Sequence, residues 1–479
     1  MASAVSVERT NNQDIDGVLS GVGWDSLNLT FSFPEQASAY DNPYGLREPW
    51  NNFGPLSDGQ SAAARHTFGM ISAVTNLNFV EVEETPTNHA TLRLARSEVP
   101  SPAWSYLPGN TPEGGDTWFG YSDGLFDAPV RGNYAYYAFL HEILHAVGLK
   151  HGNEEGAFGA MTEAHDSMEY SVMTYRSYVG AQGRHVENET WGYAQTLMMD
   201  DIAALQHMYG ADFTANGGNS VYFWDPATGQ GFVDGVGQEA PGANRIFMTV
   251  WDGGGLDAYD FSNYRTGVTV DLRPGAWTTA SAHQLAQLGP GQYARGNIAN
   301  ALTHRGDLRS LIENAIGGSG GDAITGNGVS NSLKGGGGAD RLYGLEGADR
   351  LAGGAGNDIL RGGTGRDVLV FDTRPSKAAN LDRIADFSVA DDTIHMENAV
   401  FTKAGSAGRL PSGAFWKGVK AHDSSDRVLY DAASGRLFYD ADGAGKAAQI
   451  QFAQLPKGLK VTASDFFVIR GGLPEDTKS

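Results

Sequence analysis

Three histidines, at 141, 145 and 151, stand in the run His-Glu-Ile-Leu-His-Ala-Val-Gly-Leu-Lys-His. Residues four apart share one helical face, so His141 and His145 present imidazoles about one turn apart. That spacing suits two ligands of a tetrahedral zinc ion. Glu142 lies beside them on the same turn, where its carboxylate can take a proton from water that the metal acidifies. Gly148 can adopt positive φ, end the helix and turn the chain so that His151 supplies a third nitrogen. Three ligands leave a position open for water and substrate, which predicts a catalytic zinc site rather than a structural one. Downstream, Ser171-Val-Met173-Thr-Tyr175 reads as a tight turn, and Tyr175 is placed to bring its phenol to the metal or to a developing oxyanion. The nine other histidines show no ligand spacing, and the pair Asp200-Asp201 reads as a helix cap.

A second chemistry recurs at a period of nine. From Gly317 the blocks are GGSGGDAIT, GNGVSNSLK, GGGGADRLY, GLEGADRLA, GGAGNDILR and GGTGRDVLV. This pattern predicts a parallel β-roll in which each block is one turn and one short strand. Glycines expose turn carbonyls and aspartates from stacked turns offer hard oxygens, so calcium is the expected ion. The nominated ligands are Gly318, Gly320, Asp322, Gly335, Gly337, Asp340, Gly344, Asp349, Gly353, Gly356, Asp358, Gly362, Gly365 and Asp367. Asn331 takes the aspartate position in the second block and should weaken or abolish binding at its turn. Apolar eighth positions, Ile324 to Leu369, should stack into a narrow core.

These sites need elements to hold them. The histidine helix should begin near Asn133 and run to Gly148. Helices are also expected over 57–75, capped by Asp58, and from Asp200 or Asp201 to Gly210. Strands are expected at 27–33, 79–82, 91–94 and 116–120. Residues 1–15 are polar and expected to be frayed and flexible. This alternation predicts an α/β-type domain over 16–232, and the chain turns to short β-rich stretches over 233–479, with the repeats at 317–370.

Composition agrees with two such regions. The 65 glycines of 479 residues concentrate in the C-terminal half. A net charge of −22 argues against binding nucleic acid or anionic membranes, and no run is long enough to insert into a bilayer. Cysteine is absent, which excludes disulfides, thiolate metal sites and a cysteine nucleophile. The N-terminus lacks the basic and apolar regions of a signal peptide.

Together the zinc motif, the Ser-Val-Met-Thr-Tyr turn and the nonapeptide repeats resemble the serralysin family of bacterial metzincins. The likeness extends to Leu27–Pro34 (LNLTFSFP), Gly115-Asp-Thr-Trp-Phe119, Asp200-Asp-Ile-Ala-Ala-Leu205, Trp251-Asp-Gly-Gly-Gly255 and Ile312-Glu-Asn-Ala-Ile-Gly-Gly318. The resemblance implies an α+β metzincin catalytic domain, a twisted sheet with long helices, followed by an all-β parallel β-roll and β-sandwich domain. It implies a zinc-dependent endopeptidase acting on protein or peptide substrates, with His141, His145 and His151 on zinc and Glu142 as general base. Tyr175 would be a switching zinc ligand and Met173 the residue of the Met-turn. Asp252, Gly254, Asp257 and Glu313 would bind a further calcium, and the strand at Trp118 would be the edge that pairs with substrate. It also implies a monomer, secreted by a type I machinery that reads a C-terminal signal, with a proteinaceous inhibitor as a further partner. Against this stands a calcium-dependent adhesin or surface-layer protein with a vestigial peptidase domain. The complete set His141, Glu142, His145, His151, Met173 and Tyr175 weighs for the enzyme.

Overall fold

The computed structural model describes residues 2–85, 88–182 and 185–471. The chain is β-rich, with few helices and large parallel sheets. It divides into two compact units that interleave in sequence: Met1–Ser220, Asp225–Gly255 and Pro274–Leu311 form the first, and Val221–Trp224, Leu256–Arg273 and Ile312–Ser479 the second. The expected single boundary at 232 is therefore replaced by several crossings. The physical reason is pairing at a distance: Met248–Val250 lies parallel to Ile298–Asn300, and Phe247, Trp251, Ala286 and Leu288 pack into the first unit's core.

In the first unit, β1 (Ala4–Ser6) pairs antiparallel with β2 (Val22–Trp24), and α1 spans Gln13–Asp16. The N-terminal residues are thus held, not frayed. Their polarity is used locally: the buried Asp16 carboxylate accepts from Thr10 N (2.5 Å), Thr10 Oγ1 (2.7 Å) and Asn11 N (3.1 Å). A five-stranded sheet follows, built from β3 (Asn28–Ser32), β4 (Asn78–Glu81), β5 (Leu92–Arg96), β6 (Ala103–Ser105) and β7 (Thr117–Phe119), in the order β4-β3-β5-β7-β6. Only β6 runs antiparallel to its neighbour.

Three longer helices carry the core. α2 (Asp58–Val74) starts at a capping box of Ser57 and Gln60, so Ser57, not Asp58, is the cap. α3 (Tyr134–Ala146) is capped by Asn133 and almost wholly buried, as its apolar content all round requires. α4 spans Met199–Tyr209. No described helix is long and apolar enough to cross a membrane.

The second unit contains the roll. Successive nine-residue blocks go alternately to two sheets, so each strand pairs in parallel with the one two blocks away: Leu333 with Leu351 and Leu351 with Leu369 in one sheet, Ile324 with Leu342 and Leu342 with Leu360 in the other. The apolar eighth positions are all buried between them. After the repeats the sheets continue through Asp382–Ile384 and Thr393–Glu397, and the second then passes through antiparallel strands Arg436–Tyr439 and Val428–Asp431 to an outer parallel strand, Phe415–Lys417.

Candidate active site

Helix α3 delivers His141 and His145 on one buried face. At Gly148 φ is +111°, and a Cβ there would run into Val22 O and Met208 Cε, so the turn that ends the helix admits only glycine. Beyond it the chain returns and His151 Nε2 lies 3.0 Å from His145 Nε2 and 3.1 Å from His141 Nε2. Each ring is fixed from behind. Nδ1 of His141 faces Val172 O, Nδ1 of His145 faces Leu149 O and Nδ1 of His151 faces Glu154 Oε1, all at 2.7 Å. These oxygens only accept, so Nδ1 carries the proton in each neutral ring and all three Nε2 lone pairs point at one place. Burial keeps the rings neutral: His141 is pushed down to about 4, His151 to about 3, and His145 well below the usual histidine value by burial and its two neighbours. Three convergent lone pairs repel unless a cation sits among them. The donor set therefore fits a metal ion, and its nitrogens are the type zinc prefers.

Glu142 is buried, and one of its carboxylate oxygens, Oε2, has no hydrogen-bond partner. Burial pushes its carboxyl up to about 8, opposed by a hydrogen bond from Ser105. A cation beside it would bring that value down again. Glu142 and His141 open on a cleft of about 990 Å³ whose walls include Ala103, Tyr134, Tyr137, Tyr175 and Tyr193. Tyr175 reaches into the histidine cluster, its hydroxyl 2.7 Å from His151 Nε2. Met173 is fully buried and accepts Gly152 N–H at its carbonyl (2.8 Å), which ties the 171–174 turn to the segment after His151.

The sequence reading missed Asp201. It does cap α4, accepting Met198 N–H at 2.9 Å, but it also accepts Val172 N–H (2.8 Å) and Ser171 Oγ–H (2.6 Å). It thereby pins the turn whose Val172 carbonyl orients His141. A buried carboxylate at a helix start looks in sequence like any other cap. Asp200 instead receives His165 at 2.8 Å.

Trp118 is not on the sheet edge. Strand β7 lies between β5 and β6, and Trp118 is 0% exposed, with its indole N–H donating to the Tyr44 hydroxyl oxygen (3.0 Å). The edge is β6, whose Ala103, with Ser101 and Pro102, lines the cleft. Pro100 and Pro102 make that stretch read as loop, and both lie just ahead of the edge strand's paired residues.

In the second unit the repeat carboxylates form two ladders. Along one, Asp322 N–H donates to Asp340 Oδ1 (2.7 Å), Asp340 N–H to Asp358 Oδ1 (2.9 Å) and Asp358 N–H to Asp382 Oδ1 (3.1 Å). Along the other, Asn331 N–H donates to Asp349 Oδ1 (2.8 Å), Asp349 N–H to Asp367 Oδ1 (3.0 Å) and Asp367 N–H to Asp392 Oδ1 (3.1 Å). The second oxygens of Asp340, Asp349, Asp358 and Asp367 are buried without a partner. Each faces the first glycine of its own block, Gly335, Gly344, Gly353 or Gly362, where any Cβ would collide with it. Orphaned carboxylate oxygens in Gly-lined turns fit a hard cation. Asp322 differs, with both oxygens taken by Val268 N–H and Gly318 N–H. Asn331 is satisfied within the protein: its amide donates to Glu313 O and Asn327 Oδ1, and its oxygen accepts Asn327 N–H. Gly320 sits in a roll turn, Gly337 ends the strand Ser332–Gly337, and Gly356 and Gly365 lie in turns with φ of +153° and +137°. Asp252 accepts Gly254 N–H (2.8 Å) in the first unit, and Glu313 accepts Asp257 N–H (2.8 Å) in the second.

These ladders carry a pH signature in the ion-free protein. Burial, with neighbouring carboxylates, pushes Asp340 and Asp349 up to about 7, Asp392 to about 6 and Asp382 to about 8, from 3.8. A folded-state acid with a raised pKa holds its proton more tightly than the unfolded chain does. Protonation therefore favours the fold, and that support is lost as pH rises through about 6 to 8. Calcium-depleted protein is expected to melt at a higher temperature at pH 5 than at pH 8. A midpoint that rises across that interval would contradict the ladder assignment.

A second grouping, His422, Asp423 and Asp426, brings donor atoms within 4.8 Å of one another. Its buried member, Asp426, already accepts His422 N–H (2.5 Å) and Asp423 N–H (3.0 Å), and the other two are more than half in solvent or close to it. Loop capping accounts for it.

The family model for the serralysin C-terminal region of M10 peptidases matches residues 211–406. Metalloprotease AprA of Pseudomonas entomophila is 30% identical over 65% of this chain and 62% of its own length. Serralysin C of Dickeya chrysanthemi is 32% identical over 62% of this chain and 59% of its own. Serralysin A of the same organism is 32% identical over 64% and 60%. The chain thus spans about three-fifths of these relatives' lengths. The repeats, the two-sheet roll and the relatives together define a protein of the class built on a serralysin-type C-terminal region. These matches support a place in the serralysin family.

Proposed function

We propose that this chain is a zinc-dependent endopeptidase of metzincin type, stabilised by calcium in its roll and exported by a type I route to act outside the cell. The observation that carries the reading is the convergence of three Nε2 atoms beside the unpartnered carboxylate oxygen of Glu142, at the wall of a cleft. His141, His145 and His151 would hold the zinc. When bound, zinc supplies Lewis-acid polarisation of a peptide carbonyl and brings the pKa of water down toward ~7. Glu142 takes the proton of the attacking water and delivers it to the leaving amine nitrogen, a role open to a buried carboxylate that lines the cleft beside the histidines. Tyr175 donates its phenol to the developing oxyanion. The free edge of β6 offers main-chain groups to an extended peptide, which fixes the scissile bond without demanding particular side chains.

Incubation with casein, followed by mass spectrometry of the fragments, tests the reading: internal cleavages are expected, and trimming from the termini alone would refute an endopeptidase. Tyr175→Phe should lower kcat by about 10² while moving KM little, because its contact forms mainly in the transition state. A change confined to KM would rule out the oxyanion role. Calcium ligation by the ladder aspartates, by the turn glycines and by Asp252, Gly254, Asp257 and Glu313 belongs to the same proposal, as do a monomeric state and recognition by a protein inhibitor. The C-terminal export signal would fall at Asp465–Ile469, ahead of residues 472–479, which lie outside the described residues.

A further inference from the structure

We infer that Glu154, held in place by Lys150, is a positioning residue for the third metal ligand and sets how tightly the chain retains its metal. This rests on the zinc reading above. The three imidazoles are not supported alike. His141 and His145 each donate Nδ1–H to a main-chain carbonyl, a partner that no side-chain change removes. His151 is the exception, since its Nδ1 faces a side chain, Glu154 Oε1, at 2.7 Å. It is also the ligand that α3 does not carry, because it follows the Gly148 turn. Its ring orientation therefore depends on the segment that comes next.

That segment is organised around one ammonium. Four carbonyls surround the three N–H donors of the buried Lys150 Nζ: Gly17 O (2.5 Å), Glu154 O (2.6 Å), Gly159 O (3.1 Å) and His151 O (3.3 Å). Glu154 N–H closes the turn onto His151 O at 3.2 Å. A lysine bonded in this way draws the loop back on itself and brings the Glu154 carboxylate behind His151. A carboxylate in that position fixes the tautomer that turns Nε2 forward and makes the imidazole a stronger base toward a cation. Glu154 touches neither the cleft nor the reacting atoms, so its effect passes through His151.

The test is the zinc dissociation constant of the full chain, measured by competition with a chromophoric chelator, with the visible spectrum of the cobalt-substituted protein as a second readout. Glu154→Ala should raise the constant 10- to 100-fold and shift the cobalt bands, with an unchanged far-ultraviolet spectrum. Glu154→Gln keeps an acceptor without the charge and should raise it less. Lys150→Met should move it in the same direction. If that variant does not fold, the two Glu154 variants decide the matter, since the Glu154 side chain is 51% exposed and supports no core. A Glu154→Ala constant within twofold of wild type would overturn the inference and leave the zinc reading intact. A wild-type chain that retains no zinc would overturn the zinc reading itself.

Discussion

Glu142→Ala is expected to lose about 10²–10⁴ of kcat/KM on a peptide substrate while still binding one zinc ion. The expectation follows from where the residue sits. It lies between two ligands on α3 without sharing their convergence, and one of its oxygens has no hydrogen-bond partner among the described residues. An unpartnered buried carboxylate costs stability, so its retention needs another explanation, and proton transfer is one. The same substitution should leave the melting temperature unchanged or raise it. Glu142→Gln, which preserves shape but cannot accept the proton, should be as inactive as the alanine variant. Activity within tenfold of wild type in both variants would remove Glu142 from the mechanism.

Calcium removal is the second large expected effect. With four buried second oxygens orphaned on Asp340, Asp349, Asp358 and Asp367, the ion-free roll stacks carboxylates that are satisfied among the described residues only through Oδ1. Calcium bound only by the folded roll adds its binding free energy to folding, about 2.7 kcal/mol per site at a hundredfold excess over Kd. Excess chelator should therefore abolish much of the β-sheet signal of residues 317–370 in the circular dichroism spectrum, and calcium should restore it. Magnesium should not, because it demands a smaller octahedral shell. The first unit has its own core of aromatic and aliphatic side chains and should lose less. The full chain is the right material. A cut at 233 would separate Val221–Trp224 from the strand Ala258–Asp260 it pairs with. Identical spectra in chelator and in millimolar calcium would make the roll a constitutive scaffold.

What could be read from the sequence was what local geometry dictates. Helical periodicity puts His141 and His145 on one face, and Gly148 is forced by the close approach of Val22, so the triad was legible within eleven consecutive residues. The period of nine likewise determines both the sheets and the buried eighth positions. Features set by pairing at a distance were hidden. The resemblance made the strand at Trp118 the edge, and the sequence alone says nothing of which strand lies beside it, while β6 was masked by Pro100 and Pro102 just ahead of it. Asp382 and Asp392 extend the ladders, but intervening residues break the spacing that would have revealed them. Asp201 shows its reach only once the 171–174 turn lies against α4, and the polar N-terminus is ordered by the distant β1–β2 pairing together with Asp16, which gathers it.

The central claim is that the histidine triad holds zinc and that this zinc is needed for peptide hydrolysis. Casein digestion, with metal content measured on the same samples, tests it directly. Protein stripped by a chelator should be inert, and refilling with zinc, in the presence of calcium to keep the roll folded, should restore digestion as zinc reaches one ion per chain. Stripped protein that digests casein at the untreated rate, or that recovers fully on calcium alone with no zinc bound, would contradict the account.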